Sequence, residues 1–262
     1  MPLRRHAEKL EEIYHLYNRP EYISPDPLEL VVPWQDPAEA EVVGLVASSL
    51  AYGRVEQILK SARWVLDRLG PSPRDAIAGA AAEHLADRLA GFRHRFQTAD
   101  EMACLLEGAG RVIARAGSLG AAFADCLDRG AGLVDALADW TGRIDPDRRC
   151  GHLLADPRRR SACKRLMLYL RWMVRSDAVD PGYWERIDPA RLIVPVDTHM
   201  HAIAAGLGAT ARKSADLRTA REITAAFAGI CPADPVKYDF ALTRWGIRRQ
   251  MDRNDLLARM MK

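Results

Sequence analysis

The sequence has few of the features that mark disulfide-stabilised, metal-binding or membrane proteins. Its five cysteines are scattered, and no two are spaced as Cys-x-x-Cys, which argues against a disulfide framework, a zinc site and an iron–sulfur cluster. No apolar run approaches the length of a membrane span. The opening Met-Pro-Leu-Arg-Arg-His lacks the apolar stretch of a signal peptide. We therefore expect a cytoplasmic protein with no membrane partner.

Strand signals are also scarce, whereas apolar residues recur at helical spacing along nearly the whole chain. Helix ends are marked by capping residues and proline, as at Asp36-Pro37 and Asp234-Pro235. We predict an all-α fold. The expected helices cover residues 2–17, 37–50, 55–69, 74–90, 98–116, 119–128, 131–140, 161–175, a helix that begins after Asp197, 214–229, 234–246 and 248–262.

The charge of the chain is unevenly distributed. Residues 151–262 carry 20 Lys and Arg against 12 Asp and Glu, a net charge of +8, whereas residues 1–150 carry 18 against 23, a net charge of −5. Such a distribution indicates that the second half meets a polyanion, most simply nucleic acid. Solvated basic helices would give the same distribution.

The most informative segment surrounds Asp197, where a short apolar run ends and a helix is expected to begin. An aspartate at this position is either a plain helix cap or a carboxylate held in place for catalysis. The sequence from Asp197 to His201 also matches Asp-x-His-x-His, a pattern of metal-dependent hydrolases. That alternative is remote because too little chain follows for their barrel, and because residues two apart diverge around a helix.

Lys164 stands in the first turn of the expected 161–175 helix. A cation in the first turn of a helix is disfavoured by the helix dipole, and the neighbouring Arg165 adds a like charge, so this is a position at which a nucleophilic lysine can be expected. An exposed lysine that follows a basic loop would have the same sequence.

Together these segments resemble the helix-hairpin-helix DNA glycosylase superfamily, in which a lysine at the start of one helix is followed by Val-Asp-Thr-His at the start of another. The resemblance covers roughly residues 150–250 and is nearest to the archaeal-type 8-oxoguanine glycosylases. One departure is clear, because Leu-Leu-Ala-Asp-Pro-Arg-Arg-Arg-Ser at 153–161 replaces the glycine-containing hairpin. The whole chain also resembles a bacterial family of uncharacterised proteins that shares Ala-Tyr-Gly-Arg, Ser-Ala-Cys-Lys-Arg and Leu-Arg-Trp-Met-Val-Arg.

The resemblance implies a two-subdomain helix-hairpin-helix glycosylase fold, with residues 36–150 as the middle helices and residues 1–35 plus 151–262 as the hairpin-bearing subdomain. It implies a DNA repair enzyme of base excision repair, acting as a monomer on double-stranded DNA with a damaged base, in the cytoplasm at the nucleoid. The expected reaction excises an oxidised purine, 8-oxoguanine above all, and then cleaves the strand. Lys164 would form a Schiff base, Asp197 would assist it, and no metal or cofactor would be needed.

Further site residues are expected by the same resemblance and from the basic second half. Trp172, Tyr238 and Trp245 are candidates for base recognition. The DNA-binding candidates are Tyr52, Arg54, Arg158, Arg159, Arg160, Arg165, His199, His201, Arg212 and Lys213. An alternative is a DNA-binding protein of the same fold without catalysis, which the changed hairpin favours.

Overall fold

A computed structural model describes residues 2–129, 132–159, 161–248 and 250–261. The regular elements of the described chain are helices apart from two strands of two residues each, which confirms the predicted all-α class. It divides into two compact units. Unit 1 consists of residues 1–25 and 159–262, and unit 2 consists of residues 26–158. The middle unit thus spans residues 26–158, whereas the expected bounds of the middle helices are 36–150.

Unit 2 is built around a buried helix. Helix α2 is hydrophobic on every side and buries all its residues from Ala40 to Ser49, as a helix at the centre of a unit does. It begins at Asp36, whose carboxylate accepts the Ala38 N–H. The helices of unit 2 are α2 (Pro37–Ser49), α3 (Val55–Leu69), α4 (Pro73–Ile77), α5 (Ala82–Arg88), α6 (Ala99–Ala116), α7 (Leu119–Asp128) and α8 (Leu133–Ile144).

The one acidic side chain within the buried part of α2 has a structural role. Glu41 is 3% exposed, and its carboxylate accepts the Leu119 and Gly120 N–H groups at the start of α7, at 2.8 and 2.9 Å. A buried carboxylate is thus matched to helix N–H groups that have no partner within α7.

The helix predicted over 74–90 is wrong as a single element. It is two short helices, α4 and α5, interrupted near Gly79, whose φ of +66° is incompatible with a continuous helix. Strands β1 (Arg93–His94) and β2 (Gln97–Thr98) then form a small antiparallel hairpin. Thr98 and Glu101 form a capping box that begins α6.

Unit 1 contains the segments that carry the predicted catalytic residues. Its helices are α1 (Ala7–Tyr17), α9 (Lys164–Val174), α10 (Thr198–Gly206), α11 (Leu217–Ala228), α12 (Asp239–Ile247) and α13 (Arg253–Met261). The predicted helix over 234–246 begins late, because residues 235–238 form turns. Asp234 does not cap it, since its carboxylate instead accepts from Arg175 Nε at 2.7 Å. No helix in the described part of the chain is both long and apolar enough to cross a membrane.

The core of unit 1 contains ionised side chains. Arg171 on α9 and Arg175, which directly follows α9, are almost fully buried and contact four carboxylates. We call this set the buried arginine–carboxylate network, and its members are Arg171, Arg175, Asp177, Asp180, Asp234 and Asp239. The network joins α9, the loop that follows it and the start of α12. Such a network holds elements in one arrangement because removing a single partner leaves a charge buried without its match.

Candidate active site

Asp197 is held at the start of α10 by the local backbone. The preceding residues from Leu192 to Val196 are buried, and the Val194 N–H donates to Thr224 Oγ1 on α11 at 3.0 Å. Asp197 itself is extended, and its Oδ1 accepts the His199 and Met200 N–H groups, each at 2.9 Å. This confirms the predicted N-cap and fixes the carboxylate in one orientation.

Lys164 is the first residue of α9. Cys163 before it has a left-handed backbone, with φ of +49°, and turns the chain sharply into the helix. The Cys163 N–H donates to Ser161 Oγ at 3.2 Å. The Cys163 side chain is buried, whereas the Lys164 side chain is 31% exposed.

The structure brings the two predicted catalytic residues together. Lys164 Nζ lies 3.6 Å from Asp197 Oδ2, and the Asp197 side chain is 24% exposed. One carboxylate oxygen therefore serves the helix N-terminus while the other faces the amine. An amine next to a fixed carboxylate, both open to solvent, can attack a carbon electrophile and pass a proton to its neighbour.

The buried arginine–carboxylate network is connected to this pair through α9, which carries both Lys164 and Arg171. Arg171 on α9 contacts both Asp180 and Asp239. Burial raises the pKa of Asp239 to about 6, with Arg171 opposing the rise and the charges of Asp197 and Asp180 adding to it. The negative charge of Asp197 thus contributes to the raised pKa of Asp239. Sequence reasoning missed the four aspartates of this network, although two arginines one turn apart on a helix with apolar neighbours are a signal for buried carboxylate partners.

The two histidines of the Asp-x-His-x-His motif point to different surroundings. His201 Nε2 lies 2.9 Å from the Arg212 carbonyl oxygen. His199 fills the space beside Gly246, where an added Cβ would lie 2.4 Å from His199 Nδ1. Within the described ranges no three His, Cys, Asp or Glu side chains form a group that could hold a metal ion. The motif therefore lacks the converging ligands that the metal-dependent hydrolase alternative needs.

The three aromatic candidates for base recognition are buried, so the structure contradicts that prediction. Trp172 is 0% exposed, Tyr238 1% and Trp245 7%. The Tyr238 hydroxyl donates to Glu11, and the ring of Trp245 packs edge-on against Tyr17. Faces enclosed by neighbouring side chains cannot stack on a base, and their role is to pack the core of unit 1.

Several predicted DNA-binding residues of unit 1 lie together at the end of α10. His201, Arg212 and Lys213, together with Glu222, line an open cavity of about 750 Å³. Arg212 is engaged in its own loop, donating to Asp216 Oδ2 at 2.6 Å and to Thr219 Oγ1 at 2.8 Å. Lys213 is exposed. Arg212 therefore shapes the loop, and Lys213 is the cation that this loop presents to solvent.

The remaining basic candidates are placed as follows. Arg159 is exposed and Arg165 is half-buried, both in unit 1. Arg158 belongs to unit 2 and pairs with Asp139 at 2.8 Å, while Arg160 lies outside the described residues. Residues 145–159 and 161–163 form no helix. The chain directly before α9 is therefore a turn-rich segment over these described residues, in agreement with its lack of the superfamily's glycine hairpin.

Tyr52 and Arg54 lie in unit 2 at the loop between α2 and α3. The Tyr52 hydroxyl donates to the His94 carbonyl oxygen at 3.1 Å and is also bonded to Gln97. Tyr52, one of the predicted DNA-binding residues, is thus tied through its hydroxyl to the β1–β2 hairpin. Arg54 is exposed.

The comparisons with known proteins give one match. A family model described as "Protein of unknown function (DUF2400)" matches residues 26–248. Comparisons with the curated proteins and with the solved structures found no match.

Proposed function

The chain belongs to the DUF2400 family, and we propose that it is a DNA glycosylase with AP lyase activity, which excises an oxidised purine, 8-oxoguanine above all, from double-stranded DNA. The observation that carries the proposal is the 3.6 Å approach of Lys164 Nζ to Asp197 Oδ2, with both side chains partly open to solvent. Each residue is also fixed by its position at a helix start. No metal or cofactor is part of the proposed chemistry.

The charge of unit 1 supports a DNA substrate. Residues 1–25 and 159–262 carry 23 Lys and Arg against 15 Asp and Glu, a net charge of +8, whereas unit 2 carries 15 against 20, a net charge of −5. The proposed nucleophile thus belongs to the unit that attracts phosphates. Lys213 and Arg159 are exposed cations of this unit.

The proposed reaction uses the lysine–aspartate pair for bond exchange at the sugar. The Lys164 amine forms a bond to C1′ of the damaged nucleotide, and the electron pair of the N-glycosidic bond leaves with the base. The amine then gives up a proton to Asp197, and this proton passes to the ring oxygen as the ring opens to a Schiff base. Asp197, ionised again, takes the C2′ proton, and the electron pair left behind expels the 3′ phosphate and cleaves the strand. The Asp197 carboxylate also stabilises positive charge that develops on the sugar.

Borohydride trapping tests this proposal directly, because reduction turns a Schiff base into a stable protein–DNA adduct. Duplex DNA with 8-oxoguanine is treated with the wild type, Lys164→Gln and Asp197→Asn. We expect an adduct with the wild type, none with Lys164→Gln and at most a small fraction with Asp197→Asn. Lys60→Gln is the matched control, since Lys60 is exposed on α3 in unit 2 and its loss changes the net charge equally. An adduct that survives Lys164→Gln contradicts the proposed nucleophile.

A second candidate function is DNA binding without catalysis. It is favoured by the segment before α9, where the described residues form neither a helix nor a glycine hairpin for gripping a phosphate. If the wild type binds duplex DNA but forms no adduct with any oxidised base, this second function replaces the first.

A further inference from the structure

The β1–β2 hairpin of unit 2 presents an aromatic side chain to solvent. Phe96 is 75% exposed, although burial of a phenylalanine is normally favourable by about 2 kcal/mol. It stands in the two-residue loop between His94 and Gln97, which pair across the hairpin. Because single exposed apolar side chains are common on protein surfaces, the role of Phe96 depends on the charges and the backbone around it.

The tip is basic as well as aromatic. Arg93 and Arg95 on the hairpin and Arg54 on the adjacent loop are exposed, and no carboxylate among the described residues pairs with any of them. The guanidinium carbon of Arg95 lies 5.7 Å from the ring centre of Tyr52 and 5.8 Å from that of Phe96. These cations stand out because unit 2 as a whole carries a net negative charge. The charge of the tip is complementary to a phosphate backbone.

The base of the hairpin is rigid. His94 and Gln97 are each 1% exposed. His94 Nδ1 lies 2.9 Å from Ser61 Oγ on α3, and its Nε2 lies 3.2 Å from the Tyr52 carbonyl oxygen. The Tyr52 hydroxyl donates back to the His94 carbonyl oxygen. Buried residues therefore anchor the strands, while the loop between them projects its side chains.

The backbone of the tip is strained. Arg95 has a φ of +56°, in the left-handed region that asparagine and glycine occupy in two-residue hairpin loops. Asparagine or glycine at position 95 would adopt this backbone conformation at a lower free-energy cost. The arginine instead places a long cationic side chain at the tip of the hairpin. Such an outlier points to function when the surrounding structure holds it in place, as His94 and Gln97 do here.

We propose that the β1–β2 hairpin inserts Phe96 into a base step of double-stranded DNA, while Arg54, Arg93 and Arg95 contact the flanking phosphates. This deepens the proposed function and rests on it, because excision of a base requires the target nucleotide to leave the stack. An apolar side chain between two base pairs occupies part of the space that unstacking opens. The arginines hold the phosphates on either side, so that the hairpin stays in register with the opened step.

The test measures unstacking separately from catalysis. A duplex with 8-oxoguanine next to 2-aminopurine, whose fluorescence rises when it leaves the stack, is titrated with the wild type, Phe96→Ala and Phe96→Trp. We expect fluorescence to rise with the wild type and Phe96→Trp and to stay low with Phe96→Ala, whose affinity falls about tenfold because its side chain no longer stacks on a base. Met261→Ala is the matched control, because Met261 is an exposed apolar residue of unit 1, 57% exposed on α13.

Salt dependence tests the arginines. Replacing Arg93 or Arg95 with alanine is expected to weaken DNA binding and to lower the slope of log affinity against log salt by about one for each phosphate that the variant no longer neutralises. An unchanged slope in both variants overturns the assignment of phosphate binding to the hairpin.

The outcomes separate this inference from the proposed function. If Phe96→Ala binds DNA and raises 2-aminopurine fluorescence as the wild type does, or if Met261→Ala loses as much, the inference is overturned even when a Lys164 adduct forms. If unstacking depends on Phe96 and no adduct forms on any oxidised base, the inference stands and the proposed function falls. A wild type that does not bind duplex DNA overturns both.

Discussion

The two oxygens of Asp197 have different tasks, and two substitutions separate them. Oδ1 accepts two N–H groups at the start of α10, and Oδ2 lies 3.6 Å from Lys164 Nζ. Asparagine keeps an acceptor for the helix cap but removes the charge that faces the amine. Alanine removes both. Stability therefore reports on the cap, and trapping of a Schiff base reports on the charge.

The expected magnitudes follow from these interactions. Loss of an aspartate cap costs about 1 kcal/mol, and a partly exposed ion pair contributes about 0.5 kcal/mol. We expect Asp197→Asn to lower the free energy of unfolding by about 0.5 kcal/mol and Asp197→Ala by about 1.5 kcal/mol. The latter corresponds to a fall in Tm of roughly 3–6 °C for a chain of this size. Both variants are expected to lose most of the borohydride-trapped adduct.

The assay is thermal and chemical denaturation of the full chain, with borohydride trapping on the same preparations. Asp36→Ala is the matched control, because Asp36 caps α2 in unit 2 by accepting the Ala38 N–H at 2.9 Å. It should cost about 1 kcal/mol and leave trapping unchanged. The reasoning is refuted if Asp197→Asn is as unstable as Asp197→Ala, or if it traps DNA as well as the wild type does.

Two further predictions concern the buried arginine–carboxylate network. Asp180→Asn should lower the free energy of unfolding by about 3–5 kcal/mol, because the fully buried Asp180 carboxylate contacts both Arg171 and Arg175. The control Asp139→Asn removes an exposed ion pair and should lower it by less than about 1 kcal/mol. Equal losses for the two variants in urea denaturation would contradict the stabilising role given to the network. The pKa of Asp239 is raised from 3.8 to about 6 in the folded protein. Between pH 3.8 and 6 the folded protein therefore holds a proton on Asp239 that the unfolded chain has lost. The stabilisation from this proton is complete below pH 3.8 and is lost as the pH rises through 6. Asp239→Asn should therefore flatten the fall of the unfolding free energy with pH between about pH 4 and pH 6, by at most about 1.4 kcal/mol per pH unit, and parallel profiles for wild type and variant would refute the raised pKa.

Features set within a few neighbouring residues were predictable from the sequence. The N-caps at Asp36 and Asp197 were placed correctly because the capping carboxylate bonds to N–H groups only two or three residues ahead. The bounds predicted for helices α3 and α7 are likewise confirmed. The Asp234-Pro235 cap failed because a buried arginine, Arg175, competes for the same carboxylate.

The roles of the aromatic residues were not predictable in this way. Trp172 and Tyr238 belong to the fully buried side chains of unit 1, whereas Phe96 is open to solvent. The residue type is similar in each case, and exposure depends on which elements pack over the ring. Helical spacing identifies a face of a helix, but it does not say what covers that face.

What the sequence by itself determined is the all-α class, the bounds of helices such as α3 and α7, and the position of Asp197 at the start of α10. These depend on backbone propensity and on interactions between near neighbours. The tertiary structure alone decided that Lys164 meets Asp197, 33 residues further along the chain, and that Arg171 is buried against Asp239, 68 residues away. Pairings of this range depend on how helices pack, because the local sequence fixes a helix without fixing its neighbour.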